Sequence, residues 1–125
     1  ALRRATKYGH GFTQGGGTPD QLKETKERLL EIWKEAGRED DPKVMALFYW
    51  GLGDGARERA EESLKSYYEW LGKETSDQIA ASAATDADTL KGYFAAFEEA
   101  GADEVIAFPT NPDPAQVELL AEAVL

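Results

Sequence analysis

The sequence contains no cysteine, a single histidine and no long run of apolar residues. Without cysteine, this chain has no disulfide, no thiolate metal centre and no thiol nucleophile. No apolar stretch approaches the roughly 18 residues that a membrane helix needs. No basic segment followed by an apolar core opens the sequence, so we expect no signal peptide and a cytoplasmic protein. One histidine provides neither a histidine pair for a metal nor a recognisable Ser-His-Asp arrangement.

Basic residues are also scarce. The 14 Lys and Arg stand against 24 Asp and Glu, which gives a net charge of -10. Nucleic acids and anionic membranes bind basic surfaces, so we expect neither as a partner. The acidic excess lies after residue 72, where 2 basic side chains face 11 acidic ones. Solvated helix faces account for it, and an acidic docking patch or hard-metal site is the alternative. No Asp-x-Asp-x-Asp-Gly loop supports a calcium site.

Helix signals recur along the 125 residues, a length that predicts one domain. The segment 18–21 (Thr-Pro-Asp-Gln) reads as a capping box with proline at the first helical position. Apolar residues then recur at helical spacing until Gly37. We predict further helices over 2–8, from Asp54 to Gly72, from 85–88 to Gly101, and from 113–116 onward. In the helix from Asp54 to Gly72, the side chains predicted to be buried are Ala56, Ala60, Leu64, Tyr67 and Leu71. In the last helix they are Val117, Leu120, Ala121 and Val124.

Strand signals alternate with these helices. Residues 44–50 are continuously apolar and lie between Pro42 and two glycines, which predicts a strand covered on both faces. Residues 104–108 predict a strand that stops at Pro109, and residues 9–13 a weaker one. Residues 73–84 are ambiguous: a short helix, then a poor strand around 79–83. Such alternation predicts an α/β fold with three to four parallel strands and helical crossovers.

Two architectures fit this pattern. One is a small open doubly wound sheet, and the other is part of a (β/α)8 barrel, which typically needs about 250 residues. The glycines at 15–17 follow a strand and precede a capped helix, where backbone N–H groups can cradle a phosphate. Neither Gly-x-Gly-x-x-Gly nor Gly-Lys-Ser/Thr occurs, however, so a flexible loop is the alternative.

Three collinear segments resemble the luciferase-like flavin-dependent oxidoreductases. Residues 1–12 are similar to the family's run Ala-Leu-Arg-Arg-Ala-x-x-Tyr-Gly-Asp-Gly-Trp, with His10 and Phe12 in place of Asp and Trp. Residues 40–44 (Asp-Asp-Pro-Lys-Val) precede an apolar strand as they do in that family. Residues 100–106 and 113–121 are similar to its C-terminal end. The resemblance covers essentially the whole chain.

The resemblance implies a partial, half TIM-type (β/α)8 barrel, with residues 1–125 as the C-terminal part of a domain about twice as long. It implies FMN or F420 as cofactor, a small-molecule substrate and oxidoreductase or monooxygenase chemistry carried by the cofactor. The start at Ala1 then reads as a cut within a longer chain. The residues expected to bind the cofactor are Phe12, Gln14, Gly15, Gly16 and Thr110.

The residues that could carry chemistry are few, and no catalytic group is identified. His10 could act as an acid or base near neutral pH, or be merely structural. The aromatic side chains of Phe12, Tyr49 and Trp50 could wall a flavin ring, or belong to the core. Thr110 follows the last strand, where a barrel presents side chains to its active face.

Two functional hypotheses follow. The chain is a piece of a flavin- or F420-dependent oxidoreductase, or it is a non-catalytic half-barrel that serves as an interaction module. In both, a half-barrel leaves sheet edges and apolar surface uncovered, including part of the strand at 44–50. We therefore expect a homo-oligomer or a complementing barrel half as partner.

Overall fold

The computed structural model describes all 125 residues, which form six α-helices, one 3₁₀ turn and three strands. In chain order these elements are α1 (Leu2–Tyr8), β1 (Gly11–Gln14), α2 (Pro19–Glu35), β2 (Lys43–Trp50), α3 (Ala56–Tyr67), the 3₁₀ turn (Glu69–Leu71), α4 (Lys73–Ala81), α5 (Ala87–Glu99), β3 (Glu104–Pro109) and α6 (Ala115–Val124). None of these helices combines the length and the apolar character that a membrane crossing requires.

The three strands form one parallel sheet in the order β1, β2, β3, so β2 is the central strand. Strand β1 pairs with β2 from Gly11 opposite Lys43 to Gln14 opposite Ala46. A Cβ atom on Gly11 would lie 1.8 Å from the Lys43 carbonyl oxygen, so only glycine permits this close approach. The predicted α/β fold with parallel strands is confirmed.

Strand β2 is covered unequally on its two faces. Its side chains alternate between full and partial burial, as the period of two in a strand dictates. The fully buried face carries Val44, Ala46, Phe48 and Trp50. The half-buried face carries Met45, Leu47 and Tyr49. The predicted apolar strand is confirmed. Full cover of both faces, which its continuous apolar run predicted, is wrong, whereas the partial exposure expected of a half-barrel is present.

The chain forms two compact units. The first contains residues 1–47 and 94–106, and the second contains residues 48–93 and 107–125. Helix α2 supplies the first unit with the buried side chains of Leu22, Leu29 and Trp33. The capping box predicted at its start is present, because Thr18 and Gln21 each accept a hydrogen bond from the other's backbone N–H. This unit therefore begins its main helix where the sequence indicates.

An arginine closes the loop after α2 in the first unit. The Arg38 guanidinium donates to both carboxylate oxygens of Asp40, at 2.9 and 2.6 Å. It also lies 3.9 Å from the centre of the Trp33 ring. Its remaining donor reaches the backbone oxygens of Thr6 and Gly9. The charge-assisted hydrogen bonds of Arg38 hold the pKa of the Asp40 carboxyl below its usual value.

The second unit has a small core between α3 and α4. It consists of Ala60, Leu64, Ala80 and Ala83, with Tyr49 and Tyr68 packed against it. The predicted helix cap at Asp54 is wrong, because α3 begins after Gly55, which has the positive φ of 70° that glycine tolerates.

The end of α3 also departs from prediction. Tyr67 is 70% exposed and Leu71 lies at the surface. Helix α3 ends at Tyr67 and is followed by the 3₁₀ turn before Gly72. A 3₁₀ turn has fewer residues per turn than an α-helix, so the side chains after Tyr67 point in other directions than in a continuous α-helix. The burial predicted for both side chains is therefore wrong.

The ambiguous segment 73–84 is mostly helical. Helix α4 occupies Lys73–Ala81, so the poor strand expected around 79–83 is wrong. Only Ala84 pairs in strand fashion, with its N–H donating to the Tyr49 carbonyl at 2.9 Å and its carbonyl accepting from Gly51 N–H at 3.0 Å. Too few residues remain between the helix and this bridge to form a longer strand.

Helix α6 buries a polar residue that the apolar pattern did not predict. Gln116 is buried, and its side chain accepts from Leu52 N–H and donates to the Leu52 carbonyl, both at 2.9 Å. Val117 is 68% exposed and Val124 also lies at the surface, so the burial predicted for both is wrong. The need to pair the backbone of Leu52 thus sets which face of α6 points inward.

Replacing Gln116 with alanine tests this pairing. Both buried backbone groups of Leu52 would lose their partner, which typically costs about 1–3 kcal/mol per unsatisfied group. We expect Gln116→Ala to lower the midpoint of urea unfolding markedly. Gln78→Ala is the matched control, because Gln78 is exposed on α4 and should leave the midpoint unchanged. Equal midpoints for the two variants would contradict the role assigned to Gln116.

Candidate functional site

The carboxyl ends of β2 and β3 meet within the second unit. The backbone N–H and the hydroxyl of Thr110 both donate to the Trp50 carbonyl, at 2.8 and 3.0 Å. A Cβ atom on Gly51 would lie 2.8 Å from the Thr110 hydroxyl oxygen, so the two strand ends are in close contact. Barrels of parallel strands carry their active sites at the carboxyl ends of the strands, so this end of the sheet is the candidate site.

A cleft of about 270 Å³ opens beside these strand ends. Its walls come from the ends of β2 and β3 and from one side of α3. The lining residues are Tyr49, Ser63, Leu64, Tyr67, Phe108, Pro109 and Thr110. None of them carries a charge, and the set combines aromatic faces with hydroxyl groups. Such a lining suits a flat or compact neutral group with one or two polar atoms.

A pair of tyrosines lies at one wall of the cleft. The hydroxyl oxygens of Tyr49 and Tyr68 are 2.5 Å apart, and their rings meet edge to face with centres at 6.1 Å. Phe108 flanks Tyr49 with a ring-centre distance of 6.0 Å. Burial, followed by the hydrogen bond with Tyr68, raises the pKa of Tyr49 well above its ordinary value. Tyr49 therefore stays a neutral hydrogen-bond donor throughout the physiological pH range.

The end of β1 and the loop after it, in the first unit, carry three of the predicted cofactor-binding residues: Gln14, Gly15 and Gly16. A Cβ atom on either glycine would meet nothing within 4 Å. The backbone N–H groups of both glycines make no hydrogen bond in the structure. At the start of α2, by contrast, Pro19 has no N–H and Gln21 N–H is held by Thr18. The N–H groups of Gly15 and Gly16 are therefore available to an anion, whereas those of Thr18 and Gln21 are not.

The remaining sequence candidates occupy different environments. Phe12 is half-buried and is paired in register with Val44, so its side chain lies on the same face of the sheet as the buried side of β2. His10 is exposed, and its backbone carbonyl accepts from Lys43 N–H at 3.0 Å. Trp50 is 2% exposed, so it belongs to the core and not to the cleft, although its indole N–H has no partner. Of the aromatic residues considered from sequence, only Tyr49 lines the cleft.

The predicted cofactor-binding residues thus divide between the units. Phe12, Gln14, Gly15 and Gly16 belong to the first, and Thr110 to the second. Sequence reasoning missed Ser63, Tyr67, Tyr68 and Phe108. The adjacent tyrosines 67 and 68, placed beside a glycine-bounded helix end, were the signal that could have drawn attention to them.

Comparison with known proteins identifies the fold. No family model and no curated protein matches the sequence. Among solved structures, the chain superposes on an F420-dependent secondary alcohol dehydrogenase in complex with an F420-acetone adduct, with a TM-score of 0.76 and 20% identity. It also superposes on the coenzyme F420-dependent tetrahydromethanopterin reductase from Methanopyrus kandleri, with a TM-score of 0.66 and 22% identity.

The extent of these superpositions is unequal. Each covers 98% of this chain, but only 44% of the dehydrogenase and 46% of the reductase. The chain therefore spans less than half the length of the structures it matches. With its three parallel strands, it has the architecture of a half-barrel, as the sequence predicted.

Proposed function

We propose that this chain supplies part of the active site of an F420-dependent oxidoreductase of the luciferase-like kind. The observation that carries the proposal is the superposition of nearly the whole chain on part of two F420-dependent enzymes. The cleft at the carboxyl ends of β2 and β3 supports it, because this is the active end of such a fold. The resemblance noted in the sequence points to the same class and to the C-terminal half of the domain.

The residues present fit the cofactor in two places. A deazaflavin has three fused flat rings, and the uncharged, aromatic lining of Tyr49, Phe108 and Thr110 suits contact with one edge of them, since the cleft of about 270 Å³ does not hold all three. A phosphate suits the unpaired N–H groups of Gly15 and Gly16, where an added Cβ atom would also meet nothing within 4 Å. We include Gln14, which directly precedes these glycines, and Phe12, two residues earlier on β1, on the basis of the sequence resemblance. When bound, F420 supplies hydride transfer.

The residues of this chain contribute by binding the ligand and by shielding it from solvent. Phe108 and Leu64 give the cleft an apolar wall, and the neutral Tyr49 hydroxyl offers a proton in a hydrogen bond. The Thr110 hydroxyl already donates to Trp50, so towards a ligand it serves only as an acceptor. F420 is favoured over FMN because both matched structures are F420-dependent enzymes.

A titration with F420 tests this proposal. We expect saturable quenching of F420 fluorescence by the chain, and weaker or no binding of FMN under the same conditions. Gly15→Val fills the open space over the loop and should weaken F420 binding roughly tenfold, a change of about 1.4 kcal/mol. Gly92→Val is the matched control, since Gly92 is likewise exposed with nothing within 4 Å of an added Cβ. Unchanged F420 fluorescence at all concentrations would contradict the proposal.

The alternative function is a self-associating half-barrel, and one observation favours it. Strands β1 and β3 are the outer strands of the sheet, so each has an edge without a strand partner. The surface also carries large apolar side chains, among them Val117, Phe108 and Trp70. Open edges and exposed apolar groups promote pairing with another chain, either a second copy or a complementing barrel half.

Light scattering over a concentration series tests self-association. We expect the mass at micromolar concentration to exceed that of one chain. Val117→Lys places a charge on the exposed face of α6 and should shift the distribution towards the monomer. Gln78→Lys, at an exposed position of α4, is the control and should leave the distribution as it is. A compact monomer across the series would overturn the self-association hypothesis.

A further inference from the structure

We propose that the cleft between β2, β3 and α3 binds a small uncharged molecule bearing a carbonyl or hydroxyl oxygen. The Tyr49 hydroxyl donates a hydrogen bond to that oxygen, and Tyr68 positions Tyr49. The inference rests on the proposed function in one respect only, since it names the substrate class of the same site. The binding itself requires no cofactor.

The lining sets the size and charge of the ligand. The volume of about 270 Å³ admits only a small molecule or one ring. No lysine, arginine, aspartate or glutamate lines the cleft, so an ionic ligand would lose its hydration without gaining a counter-charge. Leu64 is buried at its base and Phe108 forms a wall, which favours an apolar body. The ligand is therefore neutral and largely apolar.

The tyrosine pair supplies the polar contact. Two hydroxyl groups hold two protons, and the hydrogen bond between Tyr49 and Tyr68 uses one of them. Tyr49 lines the cleft and Tyr68 does not, and both pack against the core cluster of Ala60, Leu64, Ala80 and Ala83. When Tyr68 donates to Tyr49, the Tyr49 proton is free to point into the cleft. An acceptor oxygen on the ligand selects this arrangement.

The other hydroxyl groups are less suited to the task. The Thr110 hydroxyl already donates its proton to the Trp50 carbonyl. Ser63 and Tyr67 are exposed, so water competes for their hydrogen bonds. Tyr49 is half-buried and fixed by contacts with Tyr68 and Phe108. It is therefore the donor that is both preorganised and shielded.

The test uses the whole chain without cofactor and cyclohexanone as the probe. Cyclohexanone has one carbonyl oxygen on a compact apolar ring, and cyclohexanecarboxylate has a similar ring with a negative charge. We expect cyclohexanone to shift the ring NMR resonances of Tyr49 and Phe108 saturably. Cyclohexanecarboxylate should leave them unshifted. Equal shifts with both probes, or none with cyclohexanone, would overturn the proposal.

Variants separate donation from positioning. Tyr49→Phe should weaken cyclohexanone binding about fivefold, as expected for one neutral hydrogen bond. Tyr68→Phe should weaken it about twofold. Without ligand, Tyr49 donates to Tyr68, and this is the arrangement in which the hydrogen bond raises the pKa of Tyr49, so Tyr68→Phe should also lower that pKa in the ligand-free chain. Ultraviolet titration of tyrosine measures the second effect, which a merely structural role of Tyr68 in packing would not produce.

Tyr93→Phe is the matched control, because the Tyr93 hydroxyl donates to the Ser82 carbonyl away from the cleft lining. It should bind cyclohexanone as the unmodified chain does. If Tyr49→Phe also does so, Tyr49 is not the donor and the proposal fails. Failure of F420 to bind while cyclohexanone binds through Tyr49 would instead remove the proposed oxidoreductase function and leave this site standing.

Discussion

The backbone of β2 is hydrogen-bonded on both edges, and the rest of the structure depends on this pairing. At its start, Lys43 N–H donates to the His10 carbonyl. Val44 N–H donates to the Asp103 carboxylate, and Asp103 N–H donates to the Val44 carbonyl. At its end, the carbonyls of Tyr49 and Trp50 accept from Ala84 and Thr110. The backbone N–H and C=O groups of a buried strand must all be hydrogen-bonded, so the positions of the segments beside β2 are set by these hydrogen bonds.

The same strand links the core to the candidate site. Alternation along β2 gives Phe48 and Trp50 to the buried face and Tyr49 to the other face. The ring of Tyr49 then meets Tyr68 and Phe108, which come from α3's end and from β3. The strand thus presents one hydroxyl at the carboxyl end of the sheet, beside the cleft.

Local signals in the sequence were sufficient for most elements. The capping box at Thr18 and the apolar run bounded by Pro42 predicted α2 and β2, because caps and strand patterns act over a few residues. The rotation of α6 could not be read in this way. It depends on Gln116 reaching Leu52, a contact 64 residues away that no periodicity reveals.

The candidate site was less predictable than the fold. Thr110 was identified because barrel geometry places it at a strand end, and it does line the cleft. Tyr68 was missed because its importance comes from its hydrogen bond with Tyr49, 19 residues earlier in the chain, which no local pattern indicates. Whether Phe12, Gln14, Gly15 and Gly16 bind a cofactor remains a prediction, resting on the resemblance and on the open space around the glycines.

Amide hydrogen exchange tests the central role of β2 most directly. If β2 holds the sheet together, the N–H groups of residues 44–50 should be among the slowest to exchange, at rates set by global unfolding. The N–H groups of Gly15 and Gly16, which lack partners, should exchange within the dead time and serve as an internal reference. Exchange across β2 as fast as in that loop would contradict the account.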